Sequence, residues 1–84
     1  MNIGEKIKAR IKSEKISVVE FAQLLEISKA SAHRLLNRSS IDTDVLFKIC
    51  FVLKYDFFQD FSARIDDREW KSNQYLKMKF KSMQ

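Results

Sequence analysis

Few residues of this chain could make or break bonds. It has a single histidine, His33, and a single cysteine, Cys50. A structural metal site needs about four such ligands, so these two cannot build one, and a lone cysteine closes no internal disulfide. Asp66, Asp67 and Glu69 cluster, but Arg64 and Arg68 stand among them. General acid–base chemistry also needs a pocket that shifts pKa values, and a packed core of this size leaves little room for one. The only glycine is Gly4, which excludes the multi-glycine loops that cradle phosphates. The expectation is therefore not an enzyme, with no cofactor and no metal. What remains is recognition chemistry. Lys29, His33 and Arg34 share a short stretch with the small residues Ala30 and Ser31. An arginine can bond a guanine edge with two parallel donors, worth ~1–3 kcal/mol of discrimination. Small neighbours let the helix that carries it enter a groove.

Those residues need helices to position them. The chain has 84 residues, no proline, 16 Lys+Arg against 11 Asp+Glu and a net charge of +5. Without Gly and Pro for hairpins, short polar turns between helices are favoured over sheets. Ile3, Ile7 and Ile11 recur every fourth residue on a basic segment, which predicts a helix over 3–14. Ser17 and Glu20 form a capping box for a helix from Val18 to Leu25, with Phe21, Leu24 and Leu25 on one face. Ser28 caps a third helix, 29–37, with Ala32, Leu35 and Leu36 inward. Asp42 caps a fourth over 43–54, apolar around much of its circumference and therefore central. Asp56 starts a short fifth, with Phe57, Phe58 and Phe61 as core plugs and Cys50 as a small core residue.

Two short helices, a three-residue turn and a polar outer face on the second describe a helix-turn-helix. Ala22 allows close approach of the first helix to the second, and Ile27 is the apolar residue of the turn. Residues 3–61 resemble a Cro/CI-type helix-turn-helix domain of the XRE family. The segments that carry the resemblance are IGEKIKARIKSEKIS, VVEFAQLLEISKASAHRLLNR, SIDTDVLFKICFVL and YDFF. The last two are similar to a subgroup of short regulators from Bacteroides-like bacteria. The resemblance implies an all-α, lambda-repressor-like fold of four to five helices over residues 1–63, with the third helix in the DNA major groove. It implies base contacts from Lys29, Ala30, His33 and Arg34, and phosphate contacts from Ser28, Asn37, Arg38 and Ser39. Three features depart from the family pattern, one of them a shift of the basic residue near the end of the first helix. Val18 stands where many members have a phosphate-clamping Gln. Glu26 stands where Gly is usual, so the left-handed conformation common there is either absent or strained.

Residues 64–84 form a separate basic tail. Leu76, Met78 and Phe80 alternate with Lys77, Lys79 and Lys81, a period-two pattern that fits a strand pairing with the same segment of a second chain. A disordered basic arm and a sixth helix are the competing readings. No apolar run reaches the ~18 residues of a membrane helix. The expectation is a cytoplasmic, sequence-specific transcriptional regulator, repressor-like and homodimeric, whose partner is double-stranded DNA, with no membrane and no small-molecule effector. The rival is a protein-interaction adaptor or antitoxin-like module that keeps the fold without reading DNA.

Overall fold

Helix α1 spans Ile3–Ser13, α2 Val18–Leu25, α3 Lys29–Leu36, α4 Thr43–Leu53 and α5 Phe58–Ser62 in a computed structural model that describes residues 1–65. No strand occurs among the described residues. The expected strand through Leu76, Met78 and Phe80 lies outside them. The first, third and fourth helices each end one residue short of the sequence expectation. Every helix but the last starts on a side-chain cap. Asn2 Oδ1 accepts from the Glu5 N–H (3.1 Å), Ser17 Oγ from Glu20 (3.1 Å), Ser28 Oγ from Ser31 (3.0 Å) and Asp42 Oδ1 from Asp44 (2.8 Å). Each bond satisfies a donor that the helix leaves unpaired. Only the serine half of the Ser17–Glu20 box forms in this way. Phe57 precedes α5 without a side-chain cap, and Asp56 Oδ1 instead accepts from the Phe58 N–H at 3.0 Å.

The isoleucine stripe of α1 meets Phe21 and Ala22 of α2, Ala32 and Leu36 of α3, Leu46, Ile49 and Leu53 of α4, and Phe57. Helix α3 packs on both α1 and α2, and α2 packs on α4. Burying a side chain such as Phe21 or Phe57 contributes about 1.5–3 kcal/mol, so this one cluster holds the fold. Several expected core positions are less buried. Leu24 is 55% exposed, because α2 buries only Phe21 and Ala22 fully and turns Leu24 away from them. Leu35 and Ile27 are half-buried, and the fully buried anchors of α3 are Ala32 and Leu36. Of the three phenylalanines after α4, Phe57 is buried, Phe58 half-buried and Phe61 exposed. Cys50 is half-buried, and its Sγ accepts from the Phe57 N–H at 3.4 Å.

Two features had no clear signal in the sequence. The start of α1 lies against the connection after α3: the Ile3 N–H donates to Ser39 O (3.3 Å) and the Gly4 N–H to Arg38 O (3.1 Å). A Cβ on Gly4 would sit 2.5 Å from Leu36 O and closer still to Arg38 O. Arg10, from the basic segment between the isoleucines, reaches across to the end of α4. Its Nε and Nη2 donate to Leu53 O and Lys54 O (both 3.3 Å), Nη2 pairs with Glu14 (2.8 Å), and the guanidinium lies 5.1 Å from the Tyr55 ring centroid. These bonds occupy carbonyls that α4 leaves open. The Tyr55 hydroxyl in turn donates to Asp60 (3.0 Å). That bond to the carboxylate, with burial and the negative charge, raises the Tyr55 pKa above its ordinary value.

Helices α1, α2 and α4 all stop in the left-handed conformation on residues that are not glycine: Lys15 (φ 57°), Glu26 (φ 59°) and Lys54 (φ 53°). After each comes an apolar residue, Ile16, Ile27 or Tyr55, that bonds the carbonyl five residues back and packs on the core. This is the Schellman arrangement, which normally recruits Gly because a Cβ is strained there.

Two stability changes follow. Gly4→Ala gains about 1 kcal/mol of helix propensity but forces a methyl into backbone oxygens, an overpacking cost of about 1–3 kcal/mol. It also strains the bond to Arg38 O. The net change is expected to be a loss, seen as a lower Tm in thermal denaturation; an unchanged or raised Tm would show that α1 can shift freely. Glu26→Gly removes the left-handed strain. It is expected to stabilise the domain by about 0.5–1 kcal/mol, raising Tm by about 2–8 °C in a domain of this size.

Candidate nucleic-acid interface

The turn between α2 and α3 is three residues, Glu26, Ile27 and Ser28. Glu26 keeps the left-handed conformation despite its side chain, so of the two outcomes left open by the sequence, strain is the one realised. Its N–H bonds Gln23 O (3.1 Å) and the Ile27 N–H bonds Ala22 O (3.0 Å), which turns the chain sharply into α3. Ala22 and Ala32 are both buried, and their small size allows the close contact of α2 with α3.

With Ala32 and Leu36 inward, the helical repeat sends Ala30 and Arg34 outward and His33 to the flank, while Lys29 stands at the first position of the helix on the Leu36 side; all four are exposed. Ala30 and Arg34 occupy the part of the helix opposite the core. At one end of this face, Ser28 is the N-cap; at the other, Asn37 is the C-cap, followed by Arg38 and Ser39. Of the expected base-contact residues, Ala30 and Arg34 thus share the outer face, His33 flanks it and Lys29 stands at its N-terminal end beside Ser28, while Asn37, Arg38 and Ser39 lie at the other end. Val18 is half-buried against the core and offers no donor.

The side chains are already organised. Ser28 Oγ donates to Ser31 Oγ (2.9 Å), and Arg34 Nη2 donates to the same oxygen (3.0 Å). This string runs along one edge of α3 and restrains the guanidinium with one of its five donors. Beyond Arg34, a groove of about 290 Å³ separates α3 from the start of α4, and Arg34, Arg38, Leu35, Ile41 and Lys48 line it. On the other edge, Lys8 Nζ of α1 donates to Asn37 Oδ1 (3.0 Å). Asn37 thus keeps its amide donors free while its oxygen ties α3 to α1. Arg38 and Ser39 are held by the bonds of their carbonyls to the α1 N-terminus, which leaves their side chains exposed.

From the sequence, Ser31 counts only as a small neighbour of Arg34, and Lys8 and Lys48 have no assigned contact. Ser31 sits one helical turn before Arg34, a spacing legible in hindsight. Lys8 and Lys48 join the surface from α1 and α4, and no local pattern links Lys8 to Asn37, 29 residues away. Among the described residues, Lys29, Arg34, Arg38 and Lys48 make no ion pair, so their charge is available to a polyanion. Among the same residues, no three His, Cys, Asp or Glu side chains gather to hold a metal ion, and no helix is long and apolar enough to cross a membrane.

No curated protein and no solved structure matches this chain. A family model does, that of the Cro/C1-type HTH DNA-binding domain, over residues 6–67. That span takes in α2, the turn and α3 whole, and the chain belongs to this family of helix-turn-helix DNA-binding domains.

Proposed function

We propose that this protein is a sequence-specific transcriptional regulator, repressor-like, that binds double-stranded DNA as a homodimer with α3 in the major groove. The segments SIDTDVLFKICFVL and YDFF support its place among short Bacteroides-type regulators. The observation that carries the reading is the outer face of α3. Arg34 stands there beside Ala30, restrained by Ser31, with nothing bulky to keep the helix from base edges. Lys29, Ala30, His33 and Arg34 read bases. Ser28, Asn37, Arg38 and Ser39 meet phosphates and set the register. Lys8 and Lys48 widen the basic field. This is binding, not bond-making chemistry.

Selection from random duplexes with the purified protein tests it. An enriched palindrome is expected. Absence of enrichment at low salt would instead favour an adaptor or antitoxin-like module on the same fold. On the selected site, Arg34→Ala is expected to cost roughly 1–3 kcal/mol and relax preference at one base pair. Lys29→Ala should weaken binding more evenly across sequences. Arg38→Ala should shallow the salt dependence of log K by about one phosphate's worth. Parent-like binding by all three variants would exclude this docking.

A further inference from the structure

Helix α4 carries a second exposed surface, separate from α3. Phe47 is 57% and Phe51 70% exposed, one helical turn apart, with their rings edge to face at 5.0 Å. Beside them lies a cavity of about 350 Å³ lined by both rings, Cys50, Tyr55, Phe58 and Lys54. Asp44 is exposed one turn before Phe47, in the first turn of the helix, and Lys54 is exposed at its C-cap. Asp44, Phe47, Phe51 and Lys54 recur at intervals of three, four and three. That is the spacing of a helix-pairing seam.

This seam is complementary to itself when reversed. A two-fold axis beside Ile49 sets Asp44 against the second copy's Lys54 and Phe47 against the second copy's Phe51, and each pairing occurs twice. A parallel pairing would instead set acid against acid and base against base. Antiparallel α4 helices also place the positive end of one helix dipole beside the negative end of the other. We propose that the α4 seam is a self-association surface, on which a second copy of this chain packs antiparallel, its Phe51 filling the cavity between Phe47 and Phe58. The seam spans only three turns, so the interface belongs to the small, weak class. The proposal rests on the homodimeric reading above and supplies the surface for it.

Sedimentation equilibrium of the full chain without DNA tests it. The parent is expected to form a dimer that dissociates on dilution. Phe51→Glu should weaken self-association about 30-fold or more, the scale of a central aromatic anchor, with an unchanged thermal melt at concentrations where the parent is monomeric, because the ring is solvent-exposed in the single chain. Asp44→Lys and Lys54→Asp should each weaken their own homodimer through two like-charge contacts. An equimolar mixture of these two variants should restore the dimer, since each contact then joins Lys to Asp. The proposal is overturned if the parent stays monomeric up to about 1 mM, a Kd too weak for specific pairing. It is equally overturned if Phe51→Glu dimerises as the parent does, or if the mixture associates no better than either variant alone. A monomer that still selects one DNA site would remove this surface and leave the reading of α3 standing. A seam-dependent dimer that selects no site would support the surface and remove that reading.

Discussion

An isolated eight-residue helix is not stable in water, yet α3 keeps its whole outer side bare. Everything about its placement follows from that constraint. Its stability comes from the narrow inner edge of Ala32 and Leu36 and from its two ends. Ser28 caps one end, and the other is held by α1 through the Gly4–Arg38 and Ile3–Ser39 bonds and through Lys8 on Asn37. The turn before it is held by Ile27 against the core. With both ends and one edge immobilised, the outer face presents Ala30 and Arg34 at a fixed angle without any further scaffold. Pre-positioned groups lose less freedom on binding, which is how a small surface can still discriminate.

The same economy makes the fold demanding elsewhere. Three helices stop on left-handed residues that carry side chains, each compensated by an apolar residue that enters the core one position later. The local strain, about 1 kcal/mol or more at each stop, is tolerated because the packing behind it is shared by all the helices. Gly4 shows the opposite case. Its missing side chain is required, because two backbone oxygens occupy the space a Cβ would take. The domain therefore accepts a side chain where glycine would be easier and requires glycine where the chain passes closest to itself.

Arg10 links the basic face of α1 to architecture rather than to DNA. It completes the C-terminus of α4, pairs with Glu14 and lies against Tyr55, and so ties the first helix to the fourth. In contrast, Lys8, two residues earlier, turns toward the end of α3. Two basic residues of one short helix thus serve different ends of the molecule, one the core's far side and one the candidate interface.

Periodicity and caps alone determined much of this protein. The isoleucine stripe, the serine and aspartate caps and the Ala22–Ile27 spacing were enough to place the four main helices to within a residue, and to turn Ala30 and Arg34 away from Ala32 and Leu36. These are local properties, set by the 3.6-residue repeat and by orphan N–H groups within one turn. Only the tertiary structure decided which apolar residues are truly interior, because Leu24, Leu35 and Phe61 satisfy the local pattern, but Leu35 lies at the rim of a core already filled by Phe21, Leu36 and Phe57 and the other two face outward. It alone decided that Gly4 is a contact point, that Arg10 is structural, and that Lys8 and Lys48 stand beside α3. Each of these depends on which distant segment arrives at a given place, and that is settled by how side-chain volumes fill a shared interior, not by the spacing of residues along any one helix.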